Sequence, residues 1–260
     1  MSPRRSKTSF FIFLLFAIAS CKREPERRES SVMPSLVVVF AAIPPRIDGS
    51  LADSAWSLAN STGPFVATRD GGPAPVKASA KLSWDDDHLY VAVEVRDPLL
   101  LASHKERDAH LWEQDCIELM VAPEGDQSYF EIEVSPRGAT FDTRFDARRV
   151  PAPFGHVDWD SKARVAVITR GEIDDDRADA GYSVEMAIPW QTFSPAGVRA
   201  RPPAPGDEWR ANLYVLDRRR DGQHAAAWSP VGTGDFHVPE RFGSLEFERP
   251  ERLESTEASH

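Results

Sequence analysis

The stretch Leu82-Ser83-Trp84-Asp85-Asp86-Asp87-His88-Leu89-Tyr90-Val91-Ala92-Val93 decides the fold class of this chain. Apolar side chains alternate with polar or small ones on both sides of the polar residues 85–88, which is the pattern of two strands joined by a tight turn. We expect these strands at residues 76–84 and 89–97. The hairpin predicts a domain built mainly from antiparallel strands.

The same period of two residues returns along the rest of the chain. In residues 115–122 it places Ile117 and Leu119 on one face of a strand and Glu118 on the other. Further strands are expected at residues 36–43, 129–135, 139–145, 163–170, 182–188, 209–216 and 244–248. Short helical stretches are expected at residues 51–59 and 189–193. The pattern predicts an all-β fold, an antiparallel β-sandwich of about ten strands with one or two short helices.

The N-terminal segment has the pattern of an export signal. Arg4, Arg5 and Lys7 precede an apolar run at residues 10–19. That run is shorter than the roughly 20 residues that span a bilayer as a helix, but it suits a signal peptide. It ends in Ile18-Ala19-Ser20-Cys21, which resembles the cleavage motif of lipoproteins, so we expect Cys21 to be lipidated.

Four segments follow from this interpretation. Residues 1–21 are expected to be the signal peptide, 22–35 a charged flexible tether, 36–249 the folded domain and 250–260 a disordered tail. Lys22 stands where an Asp would favour retention at the inner membrane. We therefore expect an exported protein, anchored by lipid alone to the outer membrane, on its periplasmic side or at the cell surface.

Charge and cysteine content exclude several classes of function. The chain has a net charge of −10, and the residues after Ser35 carry 24 basic and 38 acidic side chains, a net charge of −14. Such a domain lacks the basic surface that nucleic acid requires, whereas neutral ligands or cations suit it. With Cys21 lipidated, Cys116 has no partner, so neither a disulfide framework nor a thiolate zinc site is expected.

Several local motifs resemble one family when they are taken in order. Beside the opening hairpin they are Ile47-Asp48-Gly49, Trp112-Glu113-Gln114-Asp115, Ser135-Pro136-Arg137-Gly138, Ala187-Ile188-Pro189-Trp190, Ala227-Trp228-Ser229-Pro230 and Phe236-His237-Val238-Pro239-Glu240-Arg241-Phe242-Gly243. Together, over residues 43–248, they resemble family 9 carbohydrate-binding modules and their DOMON-like relatives. The resemblance implies a non-catalytic β-sandwich that binds a neutral polysaccharide or oligosaccharide, and we expect it to be a monomer.

The resemblance also implies site residues. Trp112 matches a sugar-stacking tryptophan of the family, Trp228 resembles the second one, and Glu118 matches an acidic group that hydrogen-bonds sugar hydroxyls. Arg137 lies near family basic residues that contact the sugar. An indole suits the apolar face of a pyranose, and charged side chains form strong hydrogen bonds with its hydroxyl rim.

Other interpretations stay open. Family members often carry structural calcium, for which Asp85, Asp86 and Asp87 or Asp174, Asp175 and Asp176 are candidates, although ordinary solvated turns also explain these residues. A DOMON-like haem site with Met120, Met186 or His237 as axial ligand is an alternative. So is a surface scaffold that has lost sugar binding, because three alanines precede Trp228. A glycosidase would need two carboxylates across the scissile bond, and no catalytic motif is present.

Overall fold

One curled, mixed β-sheet forms the domain in this computed structural model, which describes residues 33–123, 127–194, 202–204 and 207–250. The sheet has 13 strands. They are β1 (Ser35–Phe40), β2 (Ser61–Pro64), β3 (Val66–Ala67), β4 (Lys77–Trp84), β5 (His88–Arg96), β6 (Cys116–Ala122), β7 (Tyr129–Val134), β8 (Thr140–Phe145), β9 (Arg164–Arg170), β10 (Gly181–Pro189), β11 (Glu208–Arg219), β12 (Gly222–Ala227) and β13 (Gly243–Glu248).

The order of the strands curls the sheet into two layers. Hydrogen bonding runs β8-β7-β6-β11-β13-β1-β4-β5-β10-β9, while β12 pairs with β11 and β2 pairs with β4. The layers β8-β7-β6-β11 and β4-β5-β10-β9 enclose a central core of apolar side chains. Ile117, Leu119 and Leu213 from the first layer and Val91 and Val184 from the second are fully buried in it. The predicted sandwich is therefore confirmed.

Pairing at β1 departs from the purely antiparallel prediction. This strand lies between β13 and β4 and runs parallel to both, with Leu36 opposite Leu245 and Phe40 opposite Trp84. All ten predicted strands are present. The three that were not predicted, β2, β3 and β12, have sequences STGP, VA and GQHAAA, which are too short or too rich in small residues to show alternation.

Both predicted helical stretches are present but short. An α-helix, α1, runs over Ser54–Leu58, and a 3-10 helix covers Trp190–Phe193. Two further 3-10 helices lie at Leu111–Glu113 and Pro239–Arg241. None of the helices in the described part of the chain is long and apolar enough to cross a membrane.

The predicted segment boundaries fall mostly outside the described residues. The signal peptide at 1–21, including Cys21, most of the tether at 22–35 and almost all of the tail at 250–260 lie there. Strand pairing begins at Ser35, one residue inside the predicted tether, and continues to Glu248.

Glu185 attaches the segment around α1 to the outside of the second layer. One carboxylate oxygen accepts a hydrogen bond from the indole N–H of Trp56 at 2.5 Å, and the other accepts from the backbone N–H groups of Asp48 at 2.9 Å and Gly49 at 2.7 Å. All these groups approach a side chain that is completely buried in β10. The bonds therefore hold α1 against the sheet.

Replacing this carboxylate is expected to weaken the fold. Glu185→Ala leaves three donors without their acceptor and should lower the free energy of unfolding by about 3 kcal/mol, measured by urea denaturation. Glu94→Ala, which removes a half-exposed ion pair with Arg170 in the same layer, should cost less than about 1 kcal/mol. Equal losses in the two variants would contradict this role of Glu185.

Candidate functional site

The first layer is buried on both faces, which is unusual for the outside of a sandwich. Every residue of β6 and β7 is buried. Alternate side chains enter the central core, and the opposite ones, such as Cys116 and Met120, join a second group of buried apolar residues, here called the outer cluster. Val238 and Phe242, from the segment between β12 and β13, complete that cluster. The outer face of this layer is thus covered by loops.

A cavity of about 220 Å³ lies between this outer face and the covering loops. Three glutamates, here called the glutamate trio, line it: Glu118, Glu131 and Glu133. Five aromatic side chains line it as well: Trp112, Phe141, Phe145, Phe154 and Phe236. The cavity therefore combines apolar rings with concentrated hydrogen-bond acceptors.

Strand register brings the glutamate trio together. Glu118 of β6 is directly opposite Glu133 of β7, and Glu131 is opposite Met120, two residues further along the same face. One carboxylate oxygen from each residue lies within 4.8 Å of the other two. The side chains are exposed by only 3, 5 and 0 % for Glu118, Glu131 and Glu133. The three acids therefore share one small buried volume.

Each member of the trio has one buried carboxylate oxygen without a hydrogen-bond partner in the described structure, although Oε2 of Glu131 lies 3.8 Å from Nε2 of His237. Oε1 of Glu118, Oε2 of Glu131 and Oε1 of Glu133 are buried without a hydrogen-bond partner. Burial raises the pKa of Glu131 to about 7. Burial, and then the charge of Glu131, raises the pKa of Glu118 and Glu133 well above the ordinary range. The trio thus disfavours carrying three negative charges at once.

Basic groups near the trio are largely engaged elsewhere. The guanidinium of Arg149 binds Oδ1 of Asp235 through Nη2 at 2.7 Å and Nε at 3.0 Å. His237 shares a 2.8 Å hydrogen bond between its Nδ1 and the hydroxyl of Tyr129. Burial, and then the charge of Arg149, lowers the pKa of His237 to about 4, so this ring is neutral at pH 7.

Two groups of packed aromatic rings form walls of the cavity. Trp112 lies in the 3-10 helix before β6, where His110 stacks on it at 4.3 Å and Phe141 meets it edge-on at 5.1 Å. Phe154 is tilted against the same indole at 5.2 Å. Phe236 stacks on Tyr214 at 4.4 Å, with ring planes 3° apart. Neighbouring rings therefore fix the orientation of the rings that line the cavity.

The structure brings together two of the four predicted ligand-binding residues. Trp112 and Glu118 both line the cavity. Arg137 does not, because its side chain donates to the backbone oxygen of Ala102 and forms an ion pair with Asp174. Arg137 therefore lies outside this cavity, and its contact with sugar stays a prediction; Arg149 is the arginine that lines the cavity.

Trp228 is also absent from the cavity. It is 4 % exposed and belongs to the central core. Its backbone N–H donates to Leu213 in β11, and its indole lies where any side chain at Gly243 would collide with it. Trp228 therefore packs between strands outside this cavity, where Phe236 is a lining ring, and its role in stacking on a sugar stays a prediction.

The sequence contained a signal for some of the residues that were missed. Glu131 and Glu133 alternate with Phe130 and Ile132, so strand parity places both carboxylates on the face opposite the core. Pairing of β7 with β6 then brings them beside Glu118. Arg149, Phe154 and Phe236 come from loops, for which no periodicity exists.

The predicted calcium candidates make local contacts, although one ligand atom each of Asp85, Asp87 and His88 lies within 4.8 Å of the other two. Asp85 uses both carboxylate oxygens within its own turn, on Asp87, His88 and the hydroxyl of Tyr90. Asp174, Asp175 and Asp176 form separate ion pairs with Arg137, Arg177 and Arg220. These aspartates are therefore explained by local structure.

A different aspartate cluster fits a hard cation better. Asp97, Asp115 and Asp217 are at most 2 % exposed, and one oxygen of each lies within 4.8 Å of the others. Oδ2 of Asp97 and Oδ1 of Asp217 have no hydrogen-bond partner in the described structure. Calcium is bound by oxygen ligands of this kind. The three residues lie just after β5, just before β6 and within β11, so a cation would join both layers.

The proposed haem ligands are not assembled into a site. Met120 belongs to the outer cluster and Met186 to the central core, each with no exposed surface. Only His237 of the three lines the cavity. Ligand pockets for larger molecules measure roughly 300–1,000 Å³, above the size found here. The geometry therefore favours a small polar ligand.

The trio should make the free energy of unfolding depend on pH. A carboxyl group whose pKa is higher in the folded than in the unfolded state lowers the free energy of unfolding as the pH rises. For Glu131 this loss of stability extends from about pH 4.5 through about pH 7. Glu131→Gln should therefore gain stability over the unmodified protein at about pH 8, and gain less at about pH 5. Urea denaturation at both values measures this difference.

The control is Glu246→Gln, because Glu246 is exposed on β13. Its effect on the free energy of unfolding should be the same at both pH values. If Glu131→Gln behaves like this control, the pKa of Glu131 is not raised in the folded protein.

Comparison with known proteins identifies the family of this fold. Residues 47–249 match the model of the carbohydrate family 9 binding domain-like family. Among curated proteins, endo-1,4-beta-xylanase C of Paenibacillus barcinonensis is 44 % identical over 207 residues, and endo-1,4-beta-xylanase A of Thermotoga maritima is 25 % identical over 206. Each match covers 77 % of this chain but only 16 % and 17 % of the respective xylanase.

Solved structures share the fold. A family 9 carbohydrate-binding module from Caldicellulosiruptor kristjanssonii in complex with cellotriose superposes with a TM-score of 0.59 at 20 % identity, over 87 % of this chain and all of that one. The glucose complex of a family 9 module from the same organism gives 0.57 at 21 % identity, over 84 % of this chain and 97 % of that one. The chain therefore belongs to the carbohydrate family 9 binding domain-like family.

Proposed function

We propose that this domain binds the end of an oligosaccharide or polysaccharide in the cavity, without breaking a bond. One observation carries the proposal: three buried carboxylates with unused acceptor atoms lie beside rigid aromatic side chains in one small cavity. The family supports carbohydrate as the ligand. Glucose and cellotriose, bound by similar modules, are the first sugars to test.

Each part of a pyranose finds a suitable surface in this cavity. The apolar C–H face can pack against Trp112 or Phe236, because a ring excludes water from it. Hydroxyl groups can form hydrogen bonds with the carboxyl oxygens of Glu118, Glu131 and Glu133 that have no hydrogen-bond partner. At about 220 Å³ the cavity suits one or two sugar units rather than a long chain.

The arrangement of acids supports binding rather than hydrolysis. A glycosidase places two carboxylates on opposite sides of the scissile bond, about 5–9.5 Å apart. The glutamate trio is grouped within 4.8 Å, and the described residues that line the cavity include no other acid. The close grouping of these acids therefore supports binding better than hydrolysis.

Packing in the sheet explains the alanines before Trp228, which were the reason to consider a surface scaffold without sugar binding. Ala226 and Ala227 precede Trp228 and pair with Ala67 and Val66 of β3. Their side chains are buried, in the central core and the outer cluster respectively. Small residues are thus needed here for sheet packing, and their presence says nothing against a ligand in the cavity.

A lipid tether at the N-terminus is part of the same proposal. The basic, apolar and small residues that lead to Cys21 support export and lipidation there. Acyl chains would hold the domain at a membrane surface with roughly 0.8 kcal/mol for each buried methylene group. A monomer tethered in this way would retain glycans near the outer membrane for partner enzymes or uptake.

Removing a lining ring is expected to abolish sugar binding. Trp112→Ala and Phe236→Ala each delete an apolar surface of the cavity and should weaken binding of glucose or cellobiose at least about tenfold. Isothermal titration calorimetry on residues 33–250 measures the affinity, and circular dichroism confirms that each variant is folded.

Trp228→Phe is the matched control, because it changes a tryptophan of the core that lies outside the cavity. It should lower stability and leave the affinity unchanged. Loss of affinity in this variant alone, with Trp112→Ala unaffected, would place the sugar elsewhere.

We also propose that Asp97, Asp115 and Asp217 hold a structural calcium ion. Their buried oxygen atoms lie close together, and those left without a partner would gain a counter-charge. Because the three residues come from both layers, the ion would oppose their separation. Calcium here has a structural role, away from the cavity.

Calcium should therefore raise the melting temperature. At a concentration about 100 times the dissociation constant, the gain of about 2.7 kcal/mol corresponds to roughly 5–10 °C, measured by calorimetry against a chelator-treated sample. Asp217→Asn should abolish most of the shift, whereas Asp175→Asn, at an ion pair on the surface, should retain it. An equal shift in both variants would contradict this site.

A further inference from the structure

The cavity holds more negative than positive groups, which distinguishes it from a surface suited only to neutral sugars. Its described lining contains three carboxylates against one guanidinium, that of Arg149. Asp235 already forms two hydrogen bonds with that guanidinium. His237 lines the cavity as a neutral ring. Among the described ion pairs, the glutamate trio thus has only a 3.8 Å contact between Oε2 of Glu131 and the neutral ring of His237.

Geometry shows what kind of ligand group would satisfy the trio. Each of the three carboxylates has one buried oxygen without a partner, and their oxygen atoms lie within 4.8 Å of one another. A hydroxyl group donates one hydrogen bond and brings no charge. An ammonium group donates three and brings a positive charge. Burying a carboxylate is costly unless it is both paired and hydrogen-bonded, so the ammonium group is the better match.

We propose that this cavity prefers a sugar that carries a free amino group, such as a 2-amino-2-deoxy sugar or the end of a deacetylated amino polysaccharide. The inference rests on the proposed function, because it names the class of sugar for the same cavity. The ammonium group binds between Glu118, Glu131 and Glu133. The apolar face of the ring packs against Trp112 or Phe236, as for a neutral sugar.

Proton release is a second consequence of this geometry. Because burial and mutual repulsion raise the pKa values of the trio, the empty cavity retains protons near neutral pH. An ammonium group stabilises the ionised carboxylates and displaces these protons to solvent. A neutral sugar leaves these protons in place. The two classes of ligand therefore differ in the number of protons released on binding, which an affinity does not report.

Calorimetric titration tests the inference with glucosamine, glucose and N-acetylglucosamine, at a pH below the pKa of the free amine. Glucosamine should bind about tenfold more tightly than glucose, and acetylation should remove the advantage. Repeating the titrations in two buffers of different ionisation enthalpy should reveal proton release with glucosamine but not with glucose.

Variants decide whether the trio causes the preference. The quantity compared is the ratio of the dissociation constants of glucose and glucosamine. Glu131→Gln and, independently, Glu133→Gln should bring this ratio close to one, whereas Glu246→Gln, exposed on β13, should keep it. Both amides preserve the shape of the side chain and cannot become negatively charged when an ammonium group binds.

The outcomes separate the inference from the proposed function. Equal binding of glucose and glucosamine, or a preference that persists in both amide variants, would overturn the inference and leave sugar binding intact. Failure of all three sugars and of cellotriose to bind the unmodified protein would overturn the proposed function as well.

Discussion

Burial of both faces of β6 and β7 is the constraint on which the rest of this structure depends. One face of each strand must be apolar to close the central core, as Ile117 and Ile132 do. The other face is covered by loops, yet it carries Glu118, Glu131 and Glu133. Because strand side chains alternate strictly, a slip of one residue in register would bury the trio in the core. The register is therefore fixed by the same residues that create the cavity.

The covering loops bury the glutamate trio, which lowers the stability of the domain but forms a cavity that can select its ligand. Unpaired buried acids destabilise a domain, and proteins tolerate such strain mainly where function requires it. Here the apolar interior and Glu185, which holds α1 to the opposite layer, supply stability elsewhere in the fold. The rings of Trp112 and Phe236 are fixed by their neighbours, so little entropy remains to be lost when a ligand enters.

The parts of the fold and site that could be predicted from the sequence are those in strands with alternating polar and apolar residues. Alternation in β5 and β6 was sufficient to predict the strands, the sandwich and the outward direction of Glu118. The resemblance named Trp112 and Glu118, which both line the cavity. The parallel position of β1 was not predictable, because pairing direction leaves no pattern within a single strand.

Residues in loops were beyond such reasoning for a different physical reason. Trp228 and Phe236 lie eight positions apart in one connecting segment, and only tertiary packing decides which ring enters the core and which lines the cavity. The same holds for Arg137 and Arg149, whose partners, Asp174 and Asp235, are distant in sequence. The buried aspartates likewise come from three separate parts of the chain and form a cluster only after folding.

Nuclear magnetic resonance can show directly whether sugar contacts the glutamate trio. With ¹³C-labelled glutamate, the carboxyl carbons of Glu118, Glu131 and Glu133 can be assigned by single Glu→Gln substitutions and followed during a sugar titration. If sugar binds in the cavity, these three signals shift and saturate while the signal of the exposed Glu246 stays unchanged. Saturable binding that leaves the three signals unmoved would show that the sugar binds away from the trio.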